Sequence, residues 1–334
     1  MTEDYNGLTT SRCPMVRVRF VFALLILLAA SPVLAQQYPT KPVRLVTPFA
    51  PGGPVDITAR ILAQKLGETF NQQFIVDSRP GATGMIGAEH VAKSAPDGYT
   101  VLVTASAHVI VPHMFSKMNY DPIRDFTPVT VVLTSPLLLT VTPSLPAKTV
   151  KEFIALAKAR PGELSFGSSG SGSSTHLTAE LLKSVTGTRM SHIPYKGQGQ
   201  AITDVITGQI QMMFLSPPAA KTWVDGGRLR ALAITSDKRF SQLPNVPTFV
   251  ESGYSDLVTG SWYAVWVPAK TPEPIVSRLN TELVRIVNLP DVRNRILELG
   301  GVPVGNSVAE FDAFQKAESA RWAKVISQSG AKLE

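Results

Sequence analysis

The sequence predicts two α/β domains behind a cleavable leader, and three observations carry that expectation. From Lys41 onward, short runs rich in β-branched and aromatic residues alternate with segments whose apolar residues fall three and four apart. The 334 residues exceed what one hydrophobic core usually organises. Two extended apolar runs, each ending at a proline, occupy residues 136–143 and 263–268 and bracket the second of two α/β sets.

The first segment to set aside is residues 1–35. Arg17 and Arg19 precede an apolar run at 20–30, followed by Pro32 and the triplet Val33-Leu34-Ala35. A basic start, a short apolar centre and a small-residue exit describe a secretory signal peptide cleaved near Ala35. A permanent membrane span needs about 20 apolar residues, more than this run offers. The fourteen residues before Met15 fit no part of a leader, so Met1 and Met15 are both candidate starts. The single cysteine, Cys13, lies upstream of the apolar run; the mature chain therefore has none and is stabilised by burial without disulfides. The net charge of +7 is spread without a Lys/Arg cluster or an aromatic-basic stripe, which argues against nucleic acid. It raises the local concentration of small anions.

The elements follow in order. Residues 43–47 read as a strand that ends in a Pro/Gly turn, and a helix then carries Ile57, Ile61, Leu62, Leu66 and Phe70. Residues 74–76 are a second strand, a helix covers 86–93, and a Pro96-Asp97-Gly98 turn leads into a strand over 99–104. The second set opens with Thr149 and Glu152 as a capping box before Phe153 and Leu156. Strands are expected at 164–166, 191–193, 210–214 and 229–235, with helices carrying Leu177, Leu181 and Leu182, then Ile202 and Val205. One late helix starts at Pro274, and another follows the capping box Ser307/Glu310. The two proline-ended runs are either strands crossing between domains, a natural hinge, or ordinary core strands; pattern alone does not choose. The crossing reading gives domain 1 as 36–137 plus 263–334 and domain 2 as 138–262.

The turns carry the chemistry. Residues 48–56 end a strand, place Gly52 and Gly53 where backbone can approach a ligand, and open a helix whose free N–H groups suit an anion. Asp56 is expected to complement that helix and not to touch the ligand. Gly53→Val is expected to block binding by preventing backbone approach. Residues 167–176 offer hydroxyls and N–H groups before another helix. Tyr195-Lys196-Gly197 forms a third turn, and Thr104, Ala105 and Ser106 complete the wall. Such turns together suit a cleft beyond the C-terminal ends of strands.

Enzyme patterns fit poorly. Ser171 stands where a nucleophile elbow around Ser169 needs glycine, and Thr175 stands where a dinucleotide loop needs its third glycine. The five histidines show no metal-ligand spacing, and no cofactor is implied. His176 either serves as a general base for Ser169, in a periplasmic hydrolase or isomerase, or orders its own loop; the second reading is preferred.

These residues resemble the tripartite tricarboxylate transporter substrate-binding family, the Bug (Bordetella uptake gene) receptors. The matching segments are 48–53 with Asp56, 79–82, 95–100, 166–170 before His176, 194–197, Gly208-Gln209, 229–235 and 243–248, which together cover nearly the whole mature chain. The resemblance implies a periplasmic-binding-protein (type II-like) fold: two α/β domains, two crossover strands and a ligand cleft that closes like a Venus flytrap. It implies a non-enzymatic, monomeric periplasmic receptor for a small di-, tri- or aromatic carboxylate, serving large and small integral-membrane subunits; a sensor feeding a membrane signalling partner is the alternative. Carried over, the binding loops are Phe49, Ala50, Gly52 and Gly53, then Ser168, Ser169, Gly170 and Ser173, with Tyr195 and Lys196 beside them. Gln211, Leu215 and Ser216 stand where the family often has acids, in a segment expected at the cleft mouth, which tilts the ligand away from amino acids. Ser78 and Thr83 read as tolerated turn changes.

Overall fold

The structure, a computed structural model, describes residues 38–115, 118–195 and 197–329. The expected leader at 1–35 and Lys196 lie outside the described residues. The compact unit begins at Lys41. Among the described residues no helix is long and apolar enough to cross a membrane.

Two sheets organise this unit. The first alternates β1 (Val43–Thr47), α1 (Pro54–Phe70), β2 (Phe74–Ser78), α2 (Met85–Ala92), β3 (Thr100–Ala105) and a one-turn helix α3 (Ala107–Ile110). A long strand, β4 (Phe126–Pro136), then runs to the second sheet. That sheet contains β5 (Leu138–Val141), α4 (Val150–Ala159), β6 (Ser165–Ser168), α5 (Ser174–Thr186), β7 (Ser191–Pro194), α6 (Gln198–Thr207), β8 (Met212–Leu215), α7 (Pro217–Asp225) and β9 (Arg230–Ile234). The chain returns through β10 (Gly260–Pro268), α8 (Glu273–Val287), α9 (Pro290–Glu298), β11 (Val302–Pro303) and α10 (Val308–Ser329).

The strand order is β11-β4-β10-β3-β1-β2 in the six-stranded sheet and β7-β6-β8-β5-β9 in the five-stranded one. β1 pairs parallel with β2 and β3, while β10 runs antiparallel between β3 and β4. β6 pairs parallel with β7 and β8, and β5 runs antiparallel between β8 and β9. The interior strands β3 and β8 are buried along nearly their whole length, whereas the edge strands β2 and β7 are partly or largely open to solvent.

The proline-ended runs divide differently from the expectation. The first supplies β5, in the five-stranded sheet, while residues 263–268 lie inside β10 of the six-stranded sheet. The chain passes between sheets at Leu137 and again at Thr259–Gly260. Thr235 ties both passages together: its Oγ1 accepts from the Leu137 N–H at 2.8 Å, its N–H donates to Leu137 O at 2.9 Å, and its carbonyl accepts from Thr259 N–H at 3.0 Å. Gly260 has φ +155°, and a Cβ there would stand 2.4 Å from Ser135 O. Only glycine lets the two passages lie this close.

Local chemistry fixes the helix starts. Thr149 Oγ1 accepts from Glu152 N–H at 3.2 Å, whereas the Glu152 carboxylate reaches past the cap to Lys148 N–H at 2.6 Å. Ser307 and Glu310 form the reciprocal capping box, at 2.9 and 3.3 Å. On α10, Phe311, Trp322, Val325 and Ile326 are buried, and the helix packs against both β4 and α5. Glu318 accepts from the indole N–H of Trp262 and of Trp322, at 3.2 and 3.1 Å. Helices α3, α7 and α9 and most of β4 were not expected from the sequence. Pro128 interrupts the strand pattern of β4, and α3 is too short to show periodicity.

Candidate ligand-binding cleft

A cavity of about 290 Å³ opens where the strands of both sheets end. Phe49 reaches it from the turn after β1, and Ala105, Ser106 and Ala107 from the end of β3. The turn between β6 and α5 contributes residues 169–174, and α5 adds Leu177 and Thr178. Gly260 and Ser261 at the start of β10 and Trp322 from α10 close it. Larger hollows, about 550 and 650 Å³, lie around Tyr120 and beside Arg189; neither touches these turns.

The Gly/Ser turn is held by its own hydroxyls. Ser173 caps α5: its Oγ accepts from His176 N–H at 3.3 Å and donates to Gly170 O at 2.6 Å. Thr175 Oγ1 accepts from Ser169 N–H at 2.9 Å and lies 3.0 Å from the hydroxyls of Ser169 and Ser173. Ser168, fully buried behind the turn, bonds Gly170 through its Oγ and lies 2.7 Å from His192 Nε2. His176 Nδ1 accepts from Gly172 N–H at 3.1 Å, and its ring stacks on His192 at 3.9 Å between centroids. Burial, then His192, then Lys183 hold the His176 pKa down at about 4. That value makes the ring the neutral acceptor that Gly172 requires. His176 therefore orders the turn. With Nδ1 so engaged and Nε2 3.8 Å from Glu180, it forms no nucleophile–base pair with Ser169.

The first turn is held by Asp56. Its buried Oδ2 accepts from Gly52 N–H at 2.9 Å and from Arg60 at 2.8 Å, and Ser78 Oγ donates to Oδ1 at 3.4 Å. The Arg60 hydrogen bond, together with the Gly52 N–H, lowers the Asp56 pKa. Ser78 is thus part of the support and more than a tolerated change. The positive φ in this turn belongs to Gly52, at +81°; Gly53 has φ −76°, and a Cβ there would meet only Ala50 O at 3.4 Å.

Of the fifteen residues expected at the site, the cavity wall gathers Phe49, Ala105, Ser106, Ser169, Gly170 and Ser173. Ala50, Gly52 and Gly53 lie in the first turn but off the wall, so Gly53→Val does not block this cavity directly. Thr104 is buried in β3, paired with Ala264 of β10. Ser168 and His176 stand behind the second turn. Tyr195 also supports from behind: its N–H donates to Ser168 O at 3.1 Å and its hydroxyl to Asp204 at 2.6 Å. Burial and Asp204 raise its pKa to about 12. Ser216 stands at the N-cap position of α7 without a side-chain capping bond, away from the wall. Sequence reasoning missed Ala107, Ile110, Leu177, Thr178, Gly260, Ser261 and Trp322. Only the neighbouring turns flagged Leu177 and Thr178; nothing in the sequence pointed to Trp322.

The electrostatics of the cavity are unusual in one respect. None of the described residues on its wall ionises, so polarity comes from hydroxyls, backbone groups and the N-terminus of α5. Ser106 Oγ and Ser261 Oγ approach to 3.5 Å across the wall. Gln211, expected at the mouth, sits instead at the far end of β6: its Oε1 accepts from Ser165 N–H and Oγ at 2.8 and 3.0 Å, and its amide donates to Gly208 O. Leu215 is fully buried in β8. These positions give no ground for judging amino-acid ligands; the uncharged wall does, since an ammonium group would meet no carboxylate there. Among the described residues no group of three or more His, Cys, Asp or Glu could hold a metal ion.

Two α/β domains, two strand passages and a cleft at the strand ends define the class: a periplasmic-binding-protein fold. Residues 58–331 match the model of the tripartite tricarboxylate transporter family receptor, and the chain belongs to that family, one of receptors and not of enzymes. It is 36% identical to Protein BugT of Bordetella pertussis (strain Tohama I) over 324 residues, 96% of this chain and 99% of BugT. It is similar to an R. palustris protein solved with adipate, with 38% identity, TM-score 0.73, and 89% of this chain and all of that one covered. MatC from Rhodopseudomonas palustris, solved with bound malate, matches at 30% identity and TM-score 0.69, covering 86% of this chain and all of MatC.

Proposed function

We propose that this receptor captures a small carboxylate in the cavity between its two sheets, and that domains of roughly 36–137 plus 263–334 and 138–262 close on it. The observation that carries the reading is a wall of hydroxyls, backbone N–H groups and a helix N-terminus, with no acid or base among its described residues. Such a wall favours an anion while leaving no partner for an amine, so mono-, di- or aromatic carboxylates lacking an amino group fit best. The adipate and malate held by two relatives belong to this class. The binding set in this reading is Phe49, Ala105, Ser106, Ser169, Gly170 and Ser173, with Asp56, Ser168, His176 and Tyr195 supporting the turns.

In this reading the leader is removed near Ala35, the mature monomer works in the periplasm, and the closed form presents its cargo to large and small integral-membrane subunits. Closure takes water from the cavity and strengthens each hydrogen bond made there. Native mass spectrometry of the purified protein, followed by a thermal-shift screen of carboxylates with and without amino groups, tests it. Ligand at a hundredfold excess over its Kd stabilises the fold by about 2.7 kcal/mol, a clear rise in Tm. A flat response to every carboxylate, or a response to amino acids alone, overturns it.

A further inference from the structure

One residue of the cavity wall carries a buried hydroxyl that makes no hydrogen bond within the protein. Thr178 is 1% exposed, yet its Oγ1 has no hydrogen-bond partner within the protein. A threonine inside a helix ordinarily resolves this by donating to the carbonyl four residues back. Among the described residues five others do so: Thr58 to Pro54 O at 2.8 Å, Thr69 to Lys65 O at 2.8 Å, Thr186 to Leu182 O at 2.6 Å, Thr203 to Gly199 O at 3.4 Å and Thr207 to Thr203 O at 3.1 Å. Thr178 does not, and it lines the cavity. A buried hydroxyl without a partner is costly to keep, and its place on a ligand wall accounts for it.

We infer that Thr178 is a specificity-determining residue whose hydroxyl bonds a neutral oxygen, a hydroxyl or a carbonyl, on the chain of the bound carboxylate. The inference rests on the carboxylate reading above. Thr178 follows Ser174 by one helical turn on the same face of α5, about 6 Å farther along the axis. A carboxylate anchored at the N-terminus of α5 therefore extends its chain towards Thr178. Around that point the wall is apolar, with Ile110, Leu177 and Trp322, and the Trp322 N–H is committed to Glu318. A second full charge at this end would meet one hydroxyl and no cation among the described wall residues; a neutral oxygen meets a matched partner.

The test uses matched pairs differing by one oxygen: the hydroxybutyrates against butyrate, the hydroxybenzoates against benzoate, and malate against succinate. Affinities are measured by calorimetry for the wild-type protein, Thr178→Val and Thr178→Ser. In the wild type, at least one hydroxylated member is expected to bind about tenfold more tightly than its partner. Thr178→Val should reduce that gain to about twofold or less while leaving the unsubstituted acid unaffected, and Thr178→Ser should retain it. The ligand-free valine variant should melt no lower than wild type, because a methyl group replaces an unpaired hydroxyl; should it fail to fold, Thr178→Ala takes its place. A wild type that gains nothing from the extra oxygen in any pair, or a valine variant that keeps the gain, overturns the inference. A wild type that binds none of these acids and no other carboxylate brings down the carboxylate reading itself.

Discussion

Asp56 shows how one buried side chain prepares a ligand turn without touching the cavity. Its carboxylate takes the Gly52 N–H and the Ser78 hydroxyl, so the turn after β1 is fixed before any ligand arrives. Arg60 adds a bond from a side chain that is 58% exposed, and such a pair contributes little net stability. Asp56→Ala leaves the Gly52 N–H and the Ser78 hydroxyl without that partner, and is expected to cost about 1–3 kcal/mol in urea denaturation and to weaken ligand binding. Asp56→Asn keeps an acceptor oxygen and should lose clearly less. Equal losses would show that the charge, and not the Gly52 bond, holds the turn. The same division between wall and support applies in the second turn, where Ser169 and Ser173 face the cavity while Ser168 and His176 bind the backbone from behind.

At the scale of elements, two short passages join the sheets, and in the proposed reading they are where the domains hinge. Leu137 and Thr259–Gly260 are short, lie side by side and share Thr235 as a common hydrogen-bonding partner. A hinge of a few residues at the ends of strands absorbs a rotation that packed sheets cannot. Gly260→Ala is the sharpest probe, because its Cβ would meet the backbone carbonyl of Ser135, which cannot swing aside. It should lower stability by about 2–4 kcal/mol, read from the unfolding midpoint, and weaken ligand binding, since Gly260 also lines the cavity. An unchanged midpoint would show that the two passages slide apart freely. Helix α10 packs on β4 and α5, and Glu318 binds one indole from β10 and one from the cavity wall.

For the whole molecule, buried histidines add to the response to acid that the lowered carboxylates also give. All five of the chain's histidines have pKa values lowered below the usual 6.5, burial being the first cause each time. His108, packed among Tyr120, Phe126 and Trp266, falls to about 3, and His176 to about 4. The groups facing His176 are His192 in the stack, Phe166, and Glu180 with its Lys183 partner. A depressed histidine pKa means that the unfolded chain binds protons first, so stability is full above pH 6.5 and falls as pH drops towards 4 and 3. The unfolding free energy from urea denaturation should therefore decline by several kcal/mol across that window, and His176→Asn should remove part of the slope while loosening the Gly/Ser turn. A profile flat between pH 7 and 4.5 would contradict the burial of these rings.

The sequence by itself determined most of the alternation of strands and helices, the Ser307/Glu310 capping box, the two turns and the family. Each of these is written in neighbouring residues: a three-four spacing, a serine three before a glutamate, glycines at a strand end. It also placed both turns at one cleft, since open α/β sheets present their loops at the ends of strands. The tertiary structure alone decided which residues of those turns face the cavity. A one-residue change of direction in a turn exchanges wall for support, and that direction is set by groups distant in sequence, as His192 fixes Ser168 and Asp204 fixes Tyr195. Trp322, Ser261 and Thr178 reach the cavity only because α10, β10 and α5 converge there in space. Gln211 shows the reverse: read as a residue of the cleft mouth, it is a structural bond at the opposite end of its sheet, because strand direction, invisible in the pattern, puts it there.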